Sequence, residues 1–281
     1  MIAWYYLALL SSLFMGFSTL IEKRALKTEH PTAYSASFTT LIAIASLVFI
    51  PFANFHISIR NIAILYVLSV ISTSTYLLTA KVYKHSSVSV ATPILSSMPM
   101  LFVAILALAF LGERLTVVQY TSISVLIVST YLILKRHDEP PRKYITMLFL
   151  ITFLSGIGFT VTKYMLGSIN AFTFLIVSEI FIAINMIAYI SIKFGGVREV
   201  ISNTKEHIVP IASLVVLAIL YRLTFYFSLY TAAVSLAMPL RNTINVLIIV
   251  IGGGILFKED GILKKVILGI VMVLCAYALV V

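Results

Sequence analysis

Ten apolar runs, each about 20 residues long and laid almost end to end, constrain this chain more than any other feature. A run of that length matches the hydrocarbon thickness of a bilayer, and the polar stretches between the runs are short. The spacing predicts helices over roughly 4–21, 32–53, 61–80, 90–111 and 117–134, then 144–163, 171–193, 208–228, 234–257 and 262–281. With 61% hydrophobic and only 11% charged residues, a soluble core has nowhere to hide this surface, whereas lipid tails solvate it. The expected class is therefore an all-α membrane protein. The first apolar segment lacks a basic n-region and is too long for a signal h-region, so it is expected to be an uncleaved span.

The most polar linker, residues 135–143, falls near the middle and contains Pro140-Pro141, which stop a helix. It divides the chain into 1–137 and 138–281, five predicted helices each. Helix-end signals agree with this count. Thr116 and Gln119 form a capping box after Gly112, which sits where a helix commonly ends in a left-handed residue. The stretch Asn203, Thr204, Lys205 and Glu206 resembles a second box, and Asp260 can cap the last helix.

The halves resemble each other. Ser89-Val90-Ala91-Thr92-Pro93 aligns with Ser235-Leu236-Ala237-Met238-Pro239, and at the same offset Leu111-Gly112-Glu113 falls on Phe257-Lys258-Glu259. Gly16 matches Gly156 and Lys23 matches Lys163 at a slightly different offset. A unit of five spans crosses an odd number of times, so its second copy must enter the membrane upside down. The charges follow membrane side rather than repeat position: Lys23, Arg24 and Lys27 face Lys163 alone, while Arg60 faces Lys193, Arg198 and Lys205. Likewise Arg114 faces Lys258, Lys264 and Lys265. Inverted repeats predict this pattern. Lys81, Lys84, Lys135, Arg136, Arg142 and Lys143 join the basic side, and the positive-inside rule then puts both termini outside. The net charge of +10 sits mostly between spans, which favours the lipid bilayer over nucleic acid as its partner.

The stretch Ala91-Thr92-Pro93 through Leu111-Gly112-Glu113-Arg114-Leu115-Thr116, followed by Gln119, resembles the fourth and fifth helices of EamA-like transporters of the drug/metabolite transporter superfamily. The first span, with Gly16 and its terminal Lys23, is similar too. In the second half Lys258-Glu259-Asp260 stands where Gly-Glu-Arg is usual. The resemblance implies ten spans as two five-helix repeats in a cell membrane. It further implies export or exchange of a small metabolite by alternating access, with cytoplasmic termini. On that last point the charge count and the resemblance disagree.

Ionisable side chains within spans cost about 2.5–3.5 kcal/mol each on insertion scales, and so point to function. Glu179, Arg222 and Arg241 qualify; their repeat mates are Thr39, Tyr76 and Leu95, so the scaffold does not demand these charges. Arg222 and Arg241 are expected to line a cavity and contact an acidic group on a substrate, since guanidinium suits carboxylate or phosphate. Glu179 is the candidate for proton coupling or a counter-ion, the alternative being an ion pair that ties helices together. Pro93 and Pro239 are expected to bend or break matching helices. Ser96, Ser97, Asn242, Thr243 and Asn245 follow within two turns as hydrogen-bonding groups, for a ligand or for a neighbouring helix. Tyr76, Tyr83, Tyr221 and Tyr226 are candidates for cavity walls, whereas Trp4, Tyr5 and Tyr6 suit an interfacial belt. Lys23, Lys163 and Glu22 are expected to snorkel at the interface, and Glu113 and Glu259 to cap helices or form salt bridges.

One cysteine, Cys275, excludes an intramolecular disulfide framework, and no Cys/His spacing suits a metal. His30, His56, His85, His137 and His207 fall in loops or at helix ends. No cofactor, metal or catalytic residue is expected. An integral membrane enzyme is the competing class, but it needs converging catalytic groups at one depth and the chain offers isolated acids.

Overall fold

The computed structural model describes residues 3–26, 30–86, 88–134, 142–194, 208–257 and 262–278. Its regular structure among those residues is all helix, with α1 Trp4–Ala25, α2 Pro31–Ser46, α3 Ile59–His85, α4 Val88–Leu106 and α5 Val117–Leu134. The second half holds α6 Arg142–Leu166, α7 Ala171–Phe194, α8 Ile208–Thr231, α9 Val234–Phe257 and α10 Ile262–Tyr277. Eight helices among the described residues are long and apolar enough to cross a membrane. The apolar stretches of the other two, Val117–Ser129 and Val266–Cys275, are shorter.

Local chemistry explains where the helices end. The second predicted helix was expected to run to residue 53, but α2 stops at Ser46 and tightens into a 3₁₀ turn over Leu47–Phe52. Pro51 lies in that turn; its ring and missing N–H disfavour continuing an α-helix. Past α4 a π turn over Ala107–Leu111 ends at Gly112, whose φ of 67° is the left-handed cap expected there. The capping box forms as expected: Thr116 N–H donates to Gln119 Oε1 (3.0 Å) and Gln119 N–H to Thr116 Oγ1 (3.3 Å). The segments 135–141 and 203–206, with Asp260 and Glu259, lie outside the described residues.

Packing joins the two halves more than it binds each half to itself. Helix α1 packs against α8 and α9, α6 against α3 and α4, α2 against α7, α4 against α9, and α5 against α10. Of the α9 span window 72% is buried, against 22% for α3, so α9 runs through the interior while α3 shows a face to lipid. Gly16 and Gly156 permit close crossings. A Cβ on Gly16 would lie 2.8 Å from Ile248 Cγ2, and one on Gly156 would lie 2.4 Å from Phe102 Cβ, so side chains there would force α1 off α9 and α6 off α4.

Lys23 and Lys163 do not snorkel outward as expected. Lys23 is 9% exposed and donates to the carbonyls of Tyr83 and Ser86 (2.6 Å to the latter), which close α3. Lys163 donates to the carbonyls of Leu229 and Ala232 (2.9 Å to the latter), at the end of α8. Helix C-termini leave four carbonyls without intrahelical partners and carry partial negative charge, so a buried ammonium is satisfied there.

Candidate substrate cavity

A cavity of about 280 Å³ opens between the halves. Its α1 wall is Met15, Ser18, Thr19 and Glu22, whose spacing puts all four on one helix face. Tyr76 and Tyr83 from α3, Glu179 from α7, and Tyr221, Arg222, Phe225 and Tyr226 from α8 also face it, with Arg241 and Asn242 from α9. Proline does not break α9: the helix runs unbroken over Val234–Phe257 with Pro239 inside it. Pro239 is the sixth residue, so it removes only the bond to the Ser235 carbonyl in the first turn, where the cost of interruption is small. Helix α4 likewise runs on through Pro93.

The three intramembrane charges divide into a pair and a single. Glu179 and Arg222, 2% and 6% exposed, form a salt bridge between α7 and α8. Arg222 Nη2 also donates to the Tyr76 hydroxyl, and its guanidinium lies 5.7 Å from the Tyr76 and Tyr221 ring centroids. The internal ion pair weighed as an alternative is thus what these two residues form. Arg222 is occupied, leaving its counter-ion's second oxygen, Glu179 Oε2, buried without a hydrogen-bond partner.

Arg241 has no such partner. It is 3% exposed and makes no ion pair among the described residues. One guanidinium nitrogen lies 3.0 Å from Met15 Sδ, a weak acceptor, and Nε has no hydrogen-bond partner among the described residues. Aromatic faces surround it: Phe225 at 4.3 Å, Tyr221 at 5.3 Å and Phe159 at 5.8 Å from the guanidinium carbon. Each such contact returns about 0.5–2 kcal/mol, less than the several kcal/mol that desolvating an unpaired ion costs. Ser12 on α1 donates to the Arg241 carbonyl and Ser11 to the Tyr221 carbonyl (2.6 Å), which pins α1 beside both residues.

Asn242 and Asn245 mostly join helices. Asn242 Nδ2 donates to the Ser96 carbonyl (2.6 Å) and Asn245 Nδ2 to Ser96 Oγ (3.3 Å), tying α9 to α4. Asn242 still reaches the cavity wall, whereas Ser96 and Asn245 do not line it. Buried Ser97 Oγ has no partner and Thr243 Oγ1 donates back to the Pro239 carbonyl (2.8 Å). Tyr76, Tyr83, Tyr221 and Tyr226 all wall the cavity. Sequence reasoning missed Glu22, set aside as interfacial, and Met15 and Phe225 around Arg241. The spacing of Met15, Ser18, Thr19 and Glu22 on α1 was the available signal.

Glu113 is a cap. Its carboxylate accepts from the N–H groups of Val234 (2.9 Å) and Ser235 (3.1 Å) and from Ser235 Oγ (2.5 Å), satisfying the start of α9.

Residues 2–135 match the model of the EamA-like transporter family. Among curated proteins the chain has no match. A solved crystal structure, 11% identical, superposes with a TM-score of 0.65 over 98% of this chain and 95% of its own, which shows a shared fold. Hydrophobic spans, capped Leu-Gly-Glu turn and family match agree over the first half, and the family that residues 2–135 match belongs to the drug/metabolite transporter superfamily.

Proposed function

We propose that the protein is a secondary transporter of the cell membrane that moves a small anionic metabolite by alternating access. In this reading ten spans form two inverted five-helix repeats, 1–137 and 138–281, around the cavity. Exchanging α1–α5 for α6–α10 preserves the main helix pairings, since α1 on α8 and α9 becomes α6 on α3 and α4. The glycine crossings exchange as well, Gly16 on Ile248 for Gly156 on Phe102. Repeats of opposite orientation suit rocking about a fixed central site.

The observation that carries the substrate class is Arg241: a buried guanidinium facing a cavity, with no ion-paired carboxylate among the described residues. A carboxylate or phosphate on the substrate supplies the missing counter-charge. Hydrogen bonds to a charged group contribute about 1.5–3 kcal/mol, or roughly 10- to 150-fold in affinity. Purified protein in proteoliposomes is expected to take up a labelled organic anion against a preloaded pool of the same compound. Arg241→Gln lowers that exchange at least tenfold, and Arg241→Lys retains more of it. Undiminished exchange in Arg241→Gln removes the proposal.

A further inference from the structure

We infer that Glu22 is a second charged contact in the cavity, holding a primary amine of a dipolar substrate whose carboxylate lies at Arg241. This rests on the anion reading of Arg241 and extends it to the other end of the same site. Glu22 lines the cavity, and no hydrogen bond or ion pair engages its carboxylate among the described residues. Its neighbour Lys23 is turned away to the carbonyls of Tyr83 and Ser86. Glu22 also stands in the last turn of α1, where the helix dipole disfavours an acid, and the carbonyl end of α3 lies against that same turn through Lys23. A carboxylate facing a cavity, with no hydrogen bond or ion pair of its own among the described residues, is a site for a cation.

The spacing selects the length of the cation. Met15, which touches the Arg241 guanidinium, and Glu22 are seven residues apart on one face of α1. Seven residues rise about 10.5 Å, and both side chains lean the same way along the axis. An α-amino acid carries amine and carboxylate on one carbon and falls short of that span. An ω-amino acid, with several carbons between the groups, reaches both. Tyr76 and Tyr221 then flank its chain.

Three five-carbon probes separate the groups: pentanoate, 2-aminopentanoate and 5-aminopentanoate. Their apparent affinities are read from concentration-dependent thermal stabilisation of the purified full chain. Wild type is expected to bind 5-aminopentanoate at least tenfold tighter than either of the others. Glu22→Gln erases that preference and binds pentanoate at least as tightly as wild type, while Glu22→Asp, with its shorter arm, moves the optimum to 6-aminohexanoate. Equal affinities in wild type, a preference that survives Glu22→Gln, or a loss of pentanoate binding in Glu22→Gln each overturn the inference. If Arg241→Gln leaves pentanoate binding intact, or wild type binds none of the three, the anion reading fails and this inference with it.

Discussion

Neutralising Glu179 strands a buried cation, and the size of the effect follows from the pair's surroundings. The two side chains are 2% and 7% exposed, so neither is relieved by water when its partner goes. Breaking such a pair costs about 3–5 kcal/mol, mostly as the penalty of the charge left behind. In Glu179→Gln the amide oxygen still accepts from the guanidinium, and Arg222 keeps its bond to Tyr76 and its aromatic neighbours. The loss therefore falls near the lower bound, about 3 kcal/mol. Arg222→Met strands the carboxylate instead, with one of its oxygens already unsatisfied, and is expected to cost at least as much. The double variant Glu179→Gln/Arg222→Met removes both charges and recovers part of the loss. Unfolding by dodecyl sulfate in mixed micelles gives the four stabilities of the cycle, with an expected coupling of about 1.5–3 kcal/mol. A coupling below about 0.5 kcal/mol would show that the pair does not hold α7 to α8, and would return Glu179 to the role of proton carrier.

Other expectations come from single contacts. Gly156→Leu places side-chain atoms where Phe102 stands 2.4 Å from a built Cβ, and is expected to cost about 1–3 kcal/mol by overpacking. Gly158→Ala, with Leu68 Cδ1 3.8 Å away, changes stability little in the same micelle titration. Glu113→Ala removes the acceptor for two N–H groups and a hydroxyl at the start of α9; a loss of about 0.5–2 kcal/mol is expected, with faster amide exchange at Val234 and Ser235. Lys163→Met leaves the Leu229 and Ala232 carbonyls unpaired and is expected to speed exchange at the end of α8 without changing substrate affinity.

Much of the fold was legible because lipid imposes a simple rule: an apolar run of sufficient length becomes a helix with its backbone satisfied internally. Turn chemistry was legible for the same local reason, as at Gly112 and the Thr116–Gln119 box. The site was legible only in kind. That Arg222 and Arg241 sit within spans follows from hydropathy, but which of them meets Glu179 depends on the register of α7 against α8, which spacing along the chain does not encode. The same holds for Ser96 and Asn245, which turned to each other across α4 and α9 rather than to the cavity. Lys23 and Lys163 misled because an exposed headgroup and a neighbouring helix end both satisfy an ammonium, and only packing chooses between them.

The placement of charge also bears on how the proposed repeats differ. At an offset of 146 residues the mate of Arg222 is Tyr76, and that of Asn242 is Ser96. These are the partners each actually contacts, Arg222 through the tyrosine hydroxyl and Asn242 through the serine carbonyl. In the proposed inverted-repeat reading, residues that touch their own mates lie on the axis relating the halves, and Tyr76, Arg222 and Asn242 bring that axis past the cavity wall. A pair of identical side chains there would present the same chemistry to both membrane faces. Here the second half supplies Glu179, Arg222 and Arg241, and the first supplies Thr39, Tyr76 and Leu95 in their places. In the proposed rocking cycle the carboxylate of the substrate is thus anchored at Arg241 to one half while the other half moves across it. Transplanting the charge tests this: Arg241→Leu with Leu95→Arg puts the guanidinium on the mate position, facing the same cavity. The expected result is retained anion binding with the relative rates of inward and outward exchange altered in proteoliposomes. Unaltered rates would mean that the half carrying the charge is irrelevant to the cycle.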